Sequence, residues 1–275
     1  NGHISIRSFY WNRFRRLTPA LALMISVTML LSIFILSPLG AQQNAAKTGL
    51  GAILSVANAV IARSTGGYFD APAETNPLLN TWSLSVEEQF YFLFPALLAL
   101  GWYLAARRKE FEFAPLLIVG IVALVSAGFL GAGTLDPQHS IAQLLTGFYS
   151  PFTRAWEFAA GSLLALVLSK KSIDSQQLRG VFGIVGSIML VSSLWLISEF
   201  TKFPGIWTLL PVLGTLLILI AGSGGGSPVS KLLGKKSMVK IGDLSYSIYL
   251  WHWPMIVFAM LLWPESPTAL ICAAV

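Results

Sequence analysis

Two adjacent carboxylates, Glu87 and Glu88, stand well inside an apolar run that extends from Trp82 to Ala106. An ionisable group inside a membrane helix costs about 2.5–3.5 kcal/mol on insertion scales, so the default reading of such a pair is functional. The plainer alternative is a headgroup-level position or an interhelical hydrogen bond. A second set, Arg13, Arg15 and Arg16, immediately precedes an apolar run. Guanidinium groups there can hold phosphate bidentately, or simply fix topology. Arg154 and Glu157 open a third run. Arg154 can pair with Glu87 or Glu88 on a neighbouring helix, or with Glu157 in its own. The fourth set is Ser245-Tyr246-Ser247-Ile248-Tyr249-Leu250-Trp251-His252-Trp253-Pro254. Helical spacing brings Ser245, Tyr249 and His252 near one face, and Pro254 frees a backbone carbonyl near Leu250. A polar-faced, broken helix suits a cavity lining, with an interfacial aromatic belt as the alternative.

The elements that carry these groups are membrane helices. The 275 residues are 55% hydrophobic and only 11% charged, against about 25% charged in soluble domains. Several apolar runs reach spanning length. The net charge of +6 is spread over short basic clusters between those runs. It therefore reads as loop charge, not as a nucleic-acid surface. A single cysteine, Cys272, excludes an internal disulfide and a cysteine-rich metal site. No Ser-His-Asp order, P-loop, dinucleotide-binding glycine pattern or metal-ligand spacing is present, and no metal is expected. Residues Gly222 to Gly226 read as a flexible loop.

In chain order, spans are expected over Leu17–Ser37, Trp82–Ala106, Phe113–Gly131, Arg154–Ser169, Gly180–Ser198, Trp207–Gly222 and Ser245–Trp263, with an eighth beginning near Pro267. Pro19 is expected in the first turn of the first span, and Pro38 to Lys47 in a polar loop. Gly49–Ala62 is short for a span and reads as one re-entrant or interfacial helix. If it does not cross, most of the eighteen basic residues fall on the cytoplasmic side; if it crosses, most fall outside. The positive-inside rule favours the first arrangement. That puts Glu87, Glu88, Arg154 and Glu157 towards the outer face and the arginines of the lead-in at the cytoplasmic face. The fold class is all-α, a polytopic transmembrane bundle. The chain begins without Met and stops at Val275 inside an apolar run, so a longer protein is expected.

Four stretches together resemble the membrane acyltransferase 3 family: Phe9-Tyr10-Trp11-Asn12-Arg13-Phe14-Arg15-Arg16-Leu17-Thr18-Pro19; Gly67-Tyr68-Phe69-Asp70 with Asn76 through Tyr91; Arg154-Ala155-Trp156-Glu157-Phe158-Ala159-Ala160-Gly161; and Leu244 through Pro254. They occur in family order. The Tyr-Phe-Asp loop is most similar to the branch that carries a C-terminal extracytoplasmic SGNH domain. Asn12 stands where many members have arginine, and Asn80 where this branch commonly has histidine.

The resemblance implies an integral-membrane enzyme of the bacterial inner membrane. It would move an acyl group, usually acetyl, from cytoplasmic acyl-CoA to hydroxyls of a cell-surface carbohydrate such as O-antigen, peptidoglycan or exopolysaccharide. It implies ten core helices, so residues 1–275 would be a partial acyltransferase domain lacking two N-terminal helices. The family's proposed catalytic histidine and a Ser-Gly-Phe motif lie on those two, and this piece alone is expected to be inactive. On this reading Arg13 and Arg16 hold the CoA phosphates and Glu87 and Glu88 support the reaction. Trp82, Arg154, Glu157, Tyr249 and His252 line the path and the outer cavity. The rival readings are a glycan or lipid-linked-sugar transporter with no chemistry, and a non-catalytic relative that scaffolds glycan assembly.

Overall fold

The computed structural model describes residues 6–64, 72–107, 112–132, 145–170, 173, 175–198, 201 and 205–266. Among them there is no strand. The helices are α1 Ile6–Ile35, α2 Ala41–Ile53, α3 Ala57–Ser64, α4 Thr81–Arg107, α5 Ala114–Ala132, α6 Ala155–Leu168, α7 Gln176–Leu196, α8 Leu209–Gly222, α9 Pro228–Leu233 and α10 Lys236–Leu262. An apolar chain in lipid must satisfy its backbone groups internally, which leaves the helix as the open choice. Four helices are long and apolar enough to cross a membrane: Arg7–Ile35, Thr81–Arg107, Gln176–Leu196 and Lys236–Leu262. Three more apolar segments, Ala114–Phe129, Ala155–Leu168 and Ile206–Gly222, are shorter. The chain is thus a multi-pass helical membrane protein. The expected eighth span falls on residues outside those described.

Several boundaries differ from the sequence expectation. The lead-in is helical, so α1 starts eleven residues before Leu17, and Pro19 lies inside the helix instead of in its first turn. Likewise α10 starts at Lys236, not Ser245. Gly49–Ala62 is not one helix. It is the end of α2 and most of α3, and α2 itself begins inside the supposed polar loop. The break is a Schellman stop. The N–H of Val56 reaches the Gly51 carbonyl at 2.7 Å and that of Ser55 the Ala52 carbonyl at 3.1 Å. Ser55 takes the left-handed position usually given to glycine, with φ 57°. Gly51 lets the two helices fold back on each other, because a Cβ there would lie 3.0 Å from the Ala57 Cα.

The chain packs as two compact units, one made of residues up to Pro95 and from Leu244 onward, the other of Ala96–Asp243. In the first, Leu78 and Ile25 both pack on Gly49, at 3.3 and 3.4 Å from where its Cβ would be. Asn76 holds the turn before α4. Its side-chain amide donates to Thr48 Oγ1 at 2.8 Å, and its carbonyl accepts from the Trp253 indole at 2.9 Å. So α4 starts beside the middle of α1 and runs back towards the N-terminus of α1. In the second unit α7 and α8 cross at Gly186 and Gly214, whose backbones touch: a Cβ on Gly186 would lie 2.6 Å from the Gly214 carbonyl oxygen. Small residues at a crossing let membrane helices approach closely.

Candidate functional site

The first unit holds an open cavity of about 1030 Å³ between α1, the tip of α2 and the first half of α4. Its charged end is built from opposed helices. On α1, Arg13 is flanked one turn away by Tyr10 and Leu17. On α4, Glu87, Glu88 and Tyr91 share a face by the same spacing. The Arg13 guanidinium donates through Nε to both oxygens of Glu88 at 3.1 Å and through Nη2 to Glu87 at 3.3 Å, and Nη2 also forms an ion pair with Glu88 at 2.9 Å. Its flat side stacks on Tyr91, with Cζ 3.5 Å from the ring centroid. Three groups therefore engage one guanidinium, an arrangement its planar fork permits and an ammonium does not.

This contact corrects the expected sidedness. Arg13 was placed at the cytoplasmic face and Glu87 and Glu88 at the outer face, yet they form ion pairs and lie at one level. The reason is the buried start of α4. Leu78 packs level with Ile25, which is twelve residues, about 18 Å, along α1 from Arg13. From there α4 returns to meet the arginine. The partner of the two carboxylates is Arg13, where Arg154 was the expected candidate; Arg154 pairs with Glu157 at 3.6 Å, the alternative within its own helix. Arg154 and Glu157 line a hollow of about 330 Å³ in the second unit.

Arg16 also lines the first cavity but, unlike Arg13, has no ion pair or hydrogen bond among the described residues. Three tyrosines that the sequence reading quoted within its motifs, without giving them a role, belong to the site. Tyr91 forms the stacking face. Tyr246 is the one α10 residue in the lining, and its hydroxyl donates to the Leu17 carbonyl at 3.2 Å. Tyr10 donates to the Phe92 and Tyr91 carbonyls at 2.8 and 3.4 Å. Pro95 lacks the N–H that would serve Tyr91, so the Tyr10 hydroxyl covers a carbonyl that the proline leaves open. The signal was in the sequence: proline four residues after Tyr91, and tyrosine one turn before Arg13.

Beyond the charged end the lining turns apolar through Leu17, Leu21, Ala22, Ala52, Ile53 and Leu84. Trp82, Tyr249 and His252 do not line this cavity. Trp82 lies in the first turn of α4, and Tyr249 and His252 lie in α10 within the two turns before Pro254. There Asn80 donates its side-chain amide to the Tyr249 and Leu250 carbonyls at 2.8 and 3.4 Å, so the carbonyl freed by Pro254 is the one expected. The Tyr249 hydroxyl donates to the Asn80 carbonyl at 2.9 Å and also pairs with Ser83.

Fold and site together define a polytopic helical membrane protein with a ligand-sized cavity, charged at one end and apolar along the other. The chain belongs to an acyltransferase family: the family's acyltransferase domain matches residues 1–275. Among its relatives is the peptidoglycan O-acetyltransferase OatA of Listeria monocytogenes, 29% identical over 266 residues, covering 93% of this chain and 41% of that protein. Another is the putative peptidoglycan O-acetyltransferase YrhL of Bacillus subtilis, 28% identical over 265 residues, covering 94% and 40%. An uncharacterized protein of Haemophilus influenzae is 34% identical over 224 residues, covering 78% and 86%. The chain spans about two fifths of the length of the two peptidoglycan relatives. No solved structure matches it.

Proposed function

We propose that this chain is the membrane part of an enzyme that transfers an acyl group, most simply acetyl, from acyl-CoA to hydroxyls of a cell-wall glycan. The family supports acyl transfer, and the names of the relatives support peptidoglycan as the acceptor. The observation that carries the donor side is the cavity: an end that bears Arg13 and Arg16 beside Glu87 and Glu88, then an apolar lining, in a volume that suits a large cofactor-like molecule. Donor entry from the cytoplasm and residence in the bacterial plasma membrane are parts of the same proposal. The histidine that the family resemblance implies is not assigned to a residue of this chain.

The two arginines have different tasks in this reading. Arg13 is engaged by Glu87, Glu88 and Tyr91, and its charge is already balanced. It shapes the site. Arg16, with no partner among the described residues, is the group that meets a phosphate of the donor. Charge-assisted hydrogen bonds contribute about 1.5–3 kcal/mol. Arg16→Ala is therefore expected to raise the KM for acetyl-CoA about tenfold or more, with kcat and thermal stability nearly unchanged. Steady-state kinetics of the reconstituted full-length enzyme test this. An unchanged KM in the variant would remove Arg16 from the donor site.

A further inference from the structure

The hollow of about 330 Å³ in the second unit shares no lining residue with the arginine cavity. Its volume lies within the range of small-molecule sites. On α6, Arg154, Glu157 and Gly161 follow one another at three- and four-residue steps and so share one face. The other wall includes Thr208, Leu216 and Leu219. Along α6 the lining passes from an ion pair to a residue with no side chain within about 10 Å. Nothing lies within 4 Å of where a Cβ on Gly161 would be, so that glycine keeps the groove open.

The charged end is held in place. The Arg154 and Glu157 side chains are only 13% and 24% exposed, and their charged atoms stand 3.6 Å apart, an ion pair longer than a hydrogen bond. The Arg154 guanidinium also lies over Phe148, with Cζ 4.9 Å from the ring centroid. The two walls are short. Helices α6 and α8 have 14 residues each. Each is therefore about 21 Å long, against a hydrocarbon layer of about 30 Å. A charged side chain at the end of so short a membrane helix meets the lipid headgroups. The groove that begins there is polar at one end and apolar beyond, which is the pattern of a lipid.

From the charge pattern we infer that this groove binds a phospholipid with a zwitterionic, N–H-bearing headgroup, phosphatidylethanolamine. Its phosphate sits on Arg154, its ammonium on Glu157, and one acyl chain runs past Gly161 along Leu216 and Leu219. A guanidinium donates up to five hydrogen bonds and a carboxylate accepts several, so both can serve a headgroup without parting from each other. Two opposite charges fixed side by side select a headgroup that carries two opposite charges. Phosphatidylglycerol supplies hydroxyls in place of the cation. It leaves its phosphate charge beside the Glu157 carboxylate with nothing to offset the repulsion. The site stands apart from acyl transfer, and its test does not use that activity.

The test places the full-length enzyme that carries this chain in nanodiscs of equal phosphatidylethanolamine and phosphatidylglycerol. Native mass spectrometry then reads the lipid that the protein retains. Wild type is expected to retain phosphatidylethanolamine about tenfold over phosphatidylglycerol, the scale of one hydrogen bond between charged groups. Glu157→Gln, which has the same shape and no charge, should lose that preference. Gly161→Leu has room for its side chain and fills the groove, so it should lose the retained lipid at an unchanged Tm. Wild type that retains the two lipids equally, or prefers phosphatidylglycerol, would overturn the site, and this reading depends on no variant. Wild-type retention of phosphatidylethanolamine by Glu157→Gln or by Gly161→Leu would overturn it as well.

Discussion

Replacing Arg13 with alanine is expected to abolish acetyl transfer and to lower the melting temperature measurably. The variant leaves Glu87 and Glu88 side by side, in a membrane helix, without the guanidinium that joins them at 2.9–3.3 Å. The carboxylates are 38% and 36% exposed and the arginine 18%, so the pair is intermediate between a surface bridge and a buried one. The loss is on the order of 2 kcal/mol, below the value for full burial because solvent screens the carboxylates. Arg13→Lys should recover part of the stability. An ammonium supplies charge, but neither the Nε–Nη2 edge nor a planar face for Tyr91. Adding Glu87→Gln and Glu88→Gln to Arg13→Ala should restore the melting temperature and leave transfer absent. Thermal unfolding in detergent separates these outcomes. Arg13→Ala melting like wild type would mean that the three-way contact does not hold α1 against α4.

The second large effect is in the other unit. Gly186→Leu is expected to separate α7 from α8 and sharply reduce the yield of folded protein. A Cβ at Gly186 would lie 2.6 Å from the Gly214 carbonyl oxygen and 2.9 Å from Leu217 Cβ. The first neighbour is backbone and cannot swing away, so even alanine forces the helices to shift. Overpacking of this kind costs about 1–3 kcal/mol for modest insertions, and leucine adds far more volume than one methyl. Gly186→Ala should fall between wild type and Gly186→Leu in a thermal series. Gly180 has nothing within 4 Å of its Cβ position, so Gly180→Leu serves as the control on the same helix. Equal yields for Gly186→Leu and Gly180→Leu would contradict the close crossing.

Much of this architecture was legible in the sequence because lipid leaves few choices. Apolar runs become helices, and most of the expected runs lie within helices. The carbonyl freed by Pro254 was also legible, since a missing N–H has a fixed partner one turn back. Two things were not. One was the stop at Ser55, where serine takes a conformation for which sequence rules look for glycine. The other was sidedness. Charge counting places each apolar run by its ends alone, and the start of α4 is placed by packing instead. Its first turn is held beside Ile25 by Leu78, Asn76 and Trp253, contacts made far apart in the chain. Once that start is buried, Glu88 falls level with Arg13. The same misplacement hid the site: the arginine motif and the Glu-Glu motif were both singled out, but for opposite faces.

The most direct measurement is acceptor-dependent release of CoA from labelled acetyl-CoA by the full-length enzyme that carries this chain, reconstituted in liposomes, with peptidoglycan glycan strands as acceptor and the donor supplied on either side. The account predicts CoA release only when donor and glycan are both present, with the label recovered on the glycan as a base-labile ester. Glycan crossing the bilayer with no CoA release from either side would contradict acyl transfer and leave a transporter as the reading.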